Sequence, residues 1–117
     1  MYIRKLLLLL SFVPCLLLAQ INTDRVMAIG RNALYFEDYV LSIQYFNQVI
    51  NAKPYLYEAY FYRGMAKFYL DDYVGAENDC NMAIDRNPFV VGAYQIRGLS
   101  RIRLQKYEEA IQDYLAA

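Results

Sequence analysis

Residues of like kind recur along this chain at a fixed step of 34 positions. Gly30, Gly64 and Gly98 keep the step, and so do Tyr39, Tyr73 and Tyr107. The small residues Ser42, Ala76 and Ala110 follow it, then Phe46, Cys80 and Tyr114, then Val49, Ala83 and Ala117, and finally Pro54 and Pro88. One such series would be chance, but six in phase are not. A period of this length marks a solenoid of supersecondary units, each too small to bury its apolar face alone and each covered by its neighbours. The repeat therefore confines the chain to stacked copies of one unit rather than a single closed core.

Each unit carries two helical patterns. In the second, "YEAYFYRGMAKFY" over 57–69 predicts one helix, "LDD" a turn, and "YVGAENDCNMAID" over 73–85 another helix. Asn87-Pro88 ends it, because proline lacks the amide donor and clashes with the preceding turn. Glycine inside a helix costs about 1 kcal/mol relative to alanine, yet it recurs in the middle of three helices. The expected compensation is a close backbone approach between paired helices, with Ser42, Ala76 and Ala110 opposite.

The period, the glycine, the tyrosine opening each second helix, the small residues and the closing proline together resemble the tetratricopeptide repeat family, over about residues 23–117. The resemblance implies an all-α fold, a right-handed superhelix of antiparallel helix pairs, with repeats at 23–56, 57–90 and 91–117, the last incomplete. Two positions depart from the family pattern: Val26 stands where Tyr60 and Tyr94 place an aromatic, and Cys80 stands where an aromatic is usual. The resemblance further implies a non-enzymatic scaffold that binds a protein or peptide partner along the concave face of its first helices.

At 100° per residue, Phe61, Met65 and Phe68 gather about 40–100° away from Gly64, with Tyr69 a little further round. The equivalent positions are Met27, Arg31, Leu34 and Tyr35 in the first repeat, and Gln95, Leu99, Ile102 and Arg103 in the third. A stripe of methionine and aromatic residues fits a plain core as well as a groove for an apolar segment. The candidate groove is thus Met27, Arg31, Tyr35, Phe61, Met65, Phe68, Tyr69, Gln95, Leu99 and Arg103. One family subtype clamps a peptide C-terminal carboxylate with Lys, Arg and Asn at five groove positions. Those positions hold Met27, Arg31, Tyr62, Gly92 and Ile96 here. Only Arg31 suits the role, so a carboxylate clamp is not expected.

Both ends carry expectations of their own. "MYIRK", the apolar run "LLLLLSFVPCLLL" and Ala19-Gln20 have the order of a secretory signal peptide at 1–19, which predicts an exported protein, periplasmic or of the bacterial cell envelope. The run is too short for a membrane span of roughly 20 residues, so no stable span is expected after cleavage. Phe12-Val13-Pro14 lacks the small residues that acylation of Cys15 would need. At the other end, "LQKYEEAIQDYLAA" shows no closing Gly, Asn or Pro, and the step of 34 would place the next proline at position 122. The expectation is the N-terminal part of a longer protein, whose uncapped last helix would self-associate. The alternative function is a recruiting or spacing domain of a larger envelope enzyme or anchored protein.

Chemistry finds little footing. There is no histidine, which removes the commonest general base and metal ligand. Cys80 falls at a helix-contact position, where a thiol is inert. Neither cofactor nor metal is expected. Basic and acidic residues number 12 each, giving no field to recruit nucleic acid. The acidic pairs Glu37-Asp38, Asp71-Asp72 and Glu108-Glu109 stand where second helices begin and answer the helix dipole. Arg63 and Arg97 each precede an aspartate by sixteen residues, and the first repeat loses both partners at once, to Ile29 and Tyr45. That pattern predicts ion pairs Arg63–Asp79 and Arg97–Asp113 between paired helices.

Overall fold

The computed structural model describes residues 22–117, and the signal expected at 1–19 lies outside the described residues. Six helices follow in order: α1 Thr23–Tyr35, α2 Tyr39–Ala52, α3 Tyr57–Tyr69, α4 Tyr73–Arg86, α5 Val91–Arg103 and α6 Tyr107–Ala116. The helix expected at 57–69 has those bounds, and α4 runs one residue beyond its expected end. Among the described residues no helix is long and apolar enough to cross a membrane.

The second helices begin on side-chain caps. Asp38 accepts from the Leu41 amide at 3.3 Å and Asp72 from the Gly75 amide at 2.9 Å, each satisfying a donor the first turn leaves free. At the matching place before α6, Lys106 supplies no cap, and Glu108 and Glu109 in the first turn offset the dipole instead. The first helices all end alike. Glu37, Asp71 and Gln105 take positive φ of 63°, 63° and 62°. The amide three places past each helix end returns to a carbonyl five residues back: Asp38 to Ala33, Asp72 to Lys67 and Lys106 to Arg101, at 2.7–2.9 Å. This is the left-handed closure that glycine usually provides.

Within each repeat the two helices pack on each other, and α2 on α3 and α4 on α5 join the repeats. The first helices also touch in succession, α1 on α3 and α3 on α5, whereas the second helices make no comparable contact. Closer spacing of the first helices puts them on the inner side of the curve. The core runs through both joints. Met27, Phe46, Val49 and Ala59 fill the first, Tyr60, Ala83 and Ala93 the second, and Ile50 packs against both groups.

The glycines give a mixed answer to the expectation of backbone closeness. At Gly64 a Cβ would stand 3.1 Å from Asp79 Cβ and 3.4 Å from the Ala76 carbonyl, so the two backbones do approach. At Gly30 the space is taken by the Phe46 ring, 2.7 Å from an added Cβ, and at Gly98 by the Tyr114 ring at 3.2 Å. The difference follows from position 80: with cysteine in place of a ring, α4 has nothing to hold it off α3. Ser42, Ala76 and Ala110 are all buried, as their place in the repeat requires.

Both expected ion pairs form. Arg63 meets Asp79 and Arg97 meets Asp113, each at 2.7 Å with a buried carboxylate. The cluster is larger than a pair. Lys67 also reaches Asp79 at 3.0 Å and Arg101 reaches Asp113 at 2.9 Å, so each carboxylate is held by two cations. Arg101 and Lys106 in turn hold Glu77, both at 2.9 Å.

Candidate functional site

On the inner side, α1, the turn after it and α3 enclose an open cleft of about 400 Å³. Its walls are tyrosines. Tyr39 and Tyr69 stack with centroids 5.1 Å apart and planes 18° from parallel. Tyr62 stands on the buried Phe46 ring at 5.7 Å, and the Arg31 guanidinium lies 5.9 Å above its centroid. Leu34, Tyr35 and Met65 complete an apolar lining, with Glu37 at the rim. These side chains meet because positions four apart share one face of α1 and of α3. The left-handed turn at Glu37 then swings Tyr39 back toward Tyr69.

Of the ten groove candidates, Arg31, Tyr35, Met65 and Tyr69 come together in this cleft. Phe68 is half-buried and meets Tyr69 and Tyr73 edge-on at 5.7 and 5.6 Å, so it backs the cleft from behind. Phe61 is half-buried over the start of α5, where a Cβ on Gly92 would stand 2.7 Å from the ring tip. It joins two first helices rather than standing free. Met27 is buried and packs with Phe46, Val49 and Ala59; its outer edge lines a separate shallow pocket with Arg31, Leu56 and Glu58 rather than the cleft. Gln95, Leu99 and Arg103 are exposed along α5, away from the cleft. Arg103 lies 5.9 Å over the Tyr73 ring. Tyr39 and Tyr62 were missed by the spacing argument. Tyr39 belongs to one of the 34-residue series, and that periodicity made it read as structural.

Charge in the cleft is sparse. Arg31 has no carboxylate partner among the described residues, whereas Arg63, Arg97 and Arg101 are all engaged in the ion cluster. An aromatic cleft with one uncommitted guanidinium suits a segment that buries apolar side chains and offers an acceptor nearby. It does not suit acid–base chemistry. The Cys80 thiol is fully buried, and loss of hydration, reinforced by the Asp79 carboxylate, pushes its pKa up to about 12. Among the described residues no group of three His, Cys, Asp or Glu is placed to hold a metal ion. Apart from Arg31, the positions of the family's carboxylate clamp offer no cation on the inner side: Tyr62 stands on Phe46, Gly92 lies under Phe61, and Met27 and Ile96 are buried.

No family model and no curated protein matches the chain. Solved structures do. The first TPR domain of Spaghetti (RPAP3), bound to the HSP90 peptide SRMEEVD, is 32% identical with a TM-score of 0.78, over 80% of this chain and 75% of that one. The second TPR domain of the same protein, bound to the same peptide, is 26% identical with a TM-score of 0.79, over 82% and 89%. The Arabidopsis OM64 TPR domain is 25% identical with a TM-score of 0.76, over 78% and 75%.

Proposed function

Since the chain belongs to the tetratricopeptide repeat family, we propose that it is a non-catalytic scaffold that captures a partner protein through the α1–α3 cleft. The observation that carries this reading is the cleft itself. Tyr35, Tyr39, Tyr62 and Tyr69 surround Met65 and Leu34 on the inner face, with Arg31 making no ion pair among the described residues. The two similar domains that hold SRMEEVD support protein capture as the kind of work. They do not carry over the peptide, because four of the five clamp positions here lack a suitable side chain. The occupant is an apolar or aromatic segment, helical or extended, recognised by its side chains rather than by its terminus.

Selection from a displayed library of random peptides tests this. The expected winners are rich in Leu, Phe and Met and tolerate blocking of their C-terminus. Tyr69→Ser should weaken them about tenfold or more with the helical signal unchanged, since Tyr69 is half exposed. SRMEEVD should bind at least about tenfold more weakly than the winners. Winners that require a free C-terminal carboxylate would refute the reading. Export to the envelope rests on the pattern of residues 1–19 alone. The mature protein should begin at Gln20, which N-terminal sequencing of the exported form decides.

A further inference from the structure

Arg31 lines two hollows. One is the tyrosine cleft; the other is a smaller hollow of about 270 Å³, shared with Thr23, Asp24, Met27, Leu56 and Glu58. On α1 the residues Asp24, Met27, Arg31 and Leu34 follow one another at steps of three and four, and on α3 so do Glu58, Tyr62, Met65 and Tyr69. Such steps keep to one face of a helix, so both hollows lie along one furrow between α1 and α3. The C-terminal end of the furrow is aromatic, and its N-terminal end is acidic.

Asp24 and Glu58 occupy the same position in successive repeats, and the third repeat has Gly92 there. The acids are therefore confined to the furrow that holds the cleft. Each stands in the first turn of its helix, where the dipole favours it, yet neither makes an ion pair among the described residues. Glu58 is half-buried and Asp24 exposed. The cation in this hollow is Arg31, whose guanidinium lies over the Tyr62 ring at 5.9 Å. Two carboxylates against one guanidinium leave the hollow net negative, the reverse of a carboxylate clamp. We infer that the captured segment carries a lysine or arginine beside its apolar anchor, the anchor among the tyrosines and the cation at Asp24 and Glu58. This rests on the cleft as the binding site, and adds the charge and the order of what fills it. At 1.5 Å per residue, Asp24 to Leu34 is about 15 Å and Glu58 to Met65 about 10 Å. An extended segment covers that distance in about three to five residues, a helical one in about seven to ten.

The displayed library of random peptides decides this. Winners should carry Lys or Arg at one of those spacings from the apolar anchor. Synthetic copies of the strongest winner, with its basic residue kept or replaced by Ser or Glu, are then titrated by fluorescence anisotropy. The basic peptide should bind about fivefold or more tighter than the glutamate version, and the gap should shrink as salt is raised. Glu58→Lys should reverse that order, which loss of a merely structural carboxylate would not do. Glu37→Gln, at the rim of the other end, should preserve it. Tyr69→Ser should weaken all three peptides alike. Winners without a basic residue, or three peptides of equal affinity that Tyr69→Ser still weakens, overturn the inference and leave the cleft standing. An order that survives Glu58→Lys, or that Glu37→Gln abolishes, puts the cation elsewhere and overturns it too. Binding indifferent to Tyr69→Ser, or a library without winners, overturns the cleft and the inference together.

Discussion

Three glycines in one register do different work, and the atoms beside them say how. At Gly30 an added methyl meets the ring of Phe46, which is fully buried and cannot withdraw. At Gly98 it meets the ring of Tyr114, which is part-exposed and can swing outward. Gly→Ala inside a helix gains about 1 kcal/mol of propensity, while overpacking a tight core costs about 1–3 kcal/mol. Gly98→Ala should therefore be neutral or stabilising and Gly30→Ala destabilising, as read from urea midpoints. Gly64→Leu should be destabilising as well, since Asp79 Cβ and the Ala76 carbonyl leave no room. Equal shifts for Gly30→Ala and Gly98→Ala would show that the neighbours at 2.7 and 3.2 Å do not set the cost. The need for glycine was visible in the sequence as recurrence. What occupied the space was not, because a ring and a carbonyl leave the same trace.

Helix limits were legible because punctuation is strong: proline closes the second helices, and acid pairs open them. The ends of the first helices were not. Glu37, Asp71 and Gln105 adopt the left-handed conformation without the glycine or asparagine that would announce it. Asp71 also receives the Tyr73 hydroxyl at 2.8 Å, so the clean test is Gln105→Gly. It removes a side chain from a strained backbone and should stabilise by about 0.5–1 kcal/mol; a loss of stability would mean that Gln105 makes an interaction outweighing its strain. The ion cluster was half legible. A spacing of sixteen joined Arg63 to Asp79 and Arg97 to Asp113, but Lys67 joins Asp79 through the packing of α3 on α4, and Arg101, Lys106 and Glu77 meet only through the relative placement of α4, α5 and the turn before α6. Burial, the largest single influence, raises the Glu77 carboxyl; hydrogen bonds and charge from Lys106 and Arg101 together outweigh it and leave the pKa below the ordinary value. A lowered folded-state pKa means that the contribution is complete above about pH 4.3 and is lost as pH falls through the folded value. Glu77→Gln should thus lose stability at pH 7 but converge with the parent once the pH has fallen below the lowered folded-state value. A gap that persists in acid would assign the loss to packing.

Over the whole molecule, curvature decides which apolar side chains are core and which are groove, and a linear pattern carries no curvature. Met27 and Met65, a repeat and one helical turn apart, both fall on the candidate stripe yet part company: one packs with Phe46 and Val49, the other lines the cleft. Curvature is also why Tyr39, from the opposite helix layer, enters the site unannounced. The methionines make the central claim measurable. Met65 lies in the cleft, Met27 in the core, and Met82 on α4 away from the cleft lining. With the methionine methyls labelled with ¹³C, titration of the strongest library peptide should move the Met65 resonance, leave Met82 in place and shift Met27 only slightly. If Met82 moves while Met65 stays still, the partner binds elsewhere and the cleft is not the site.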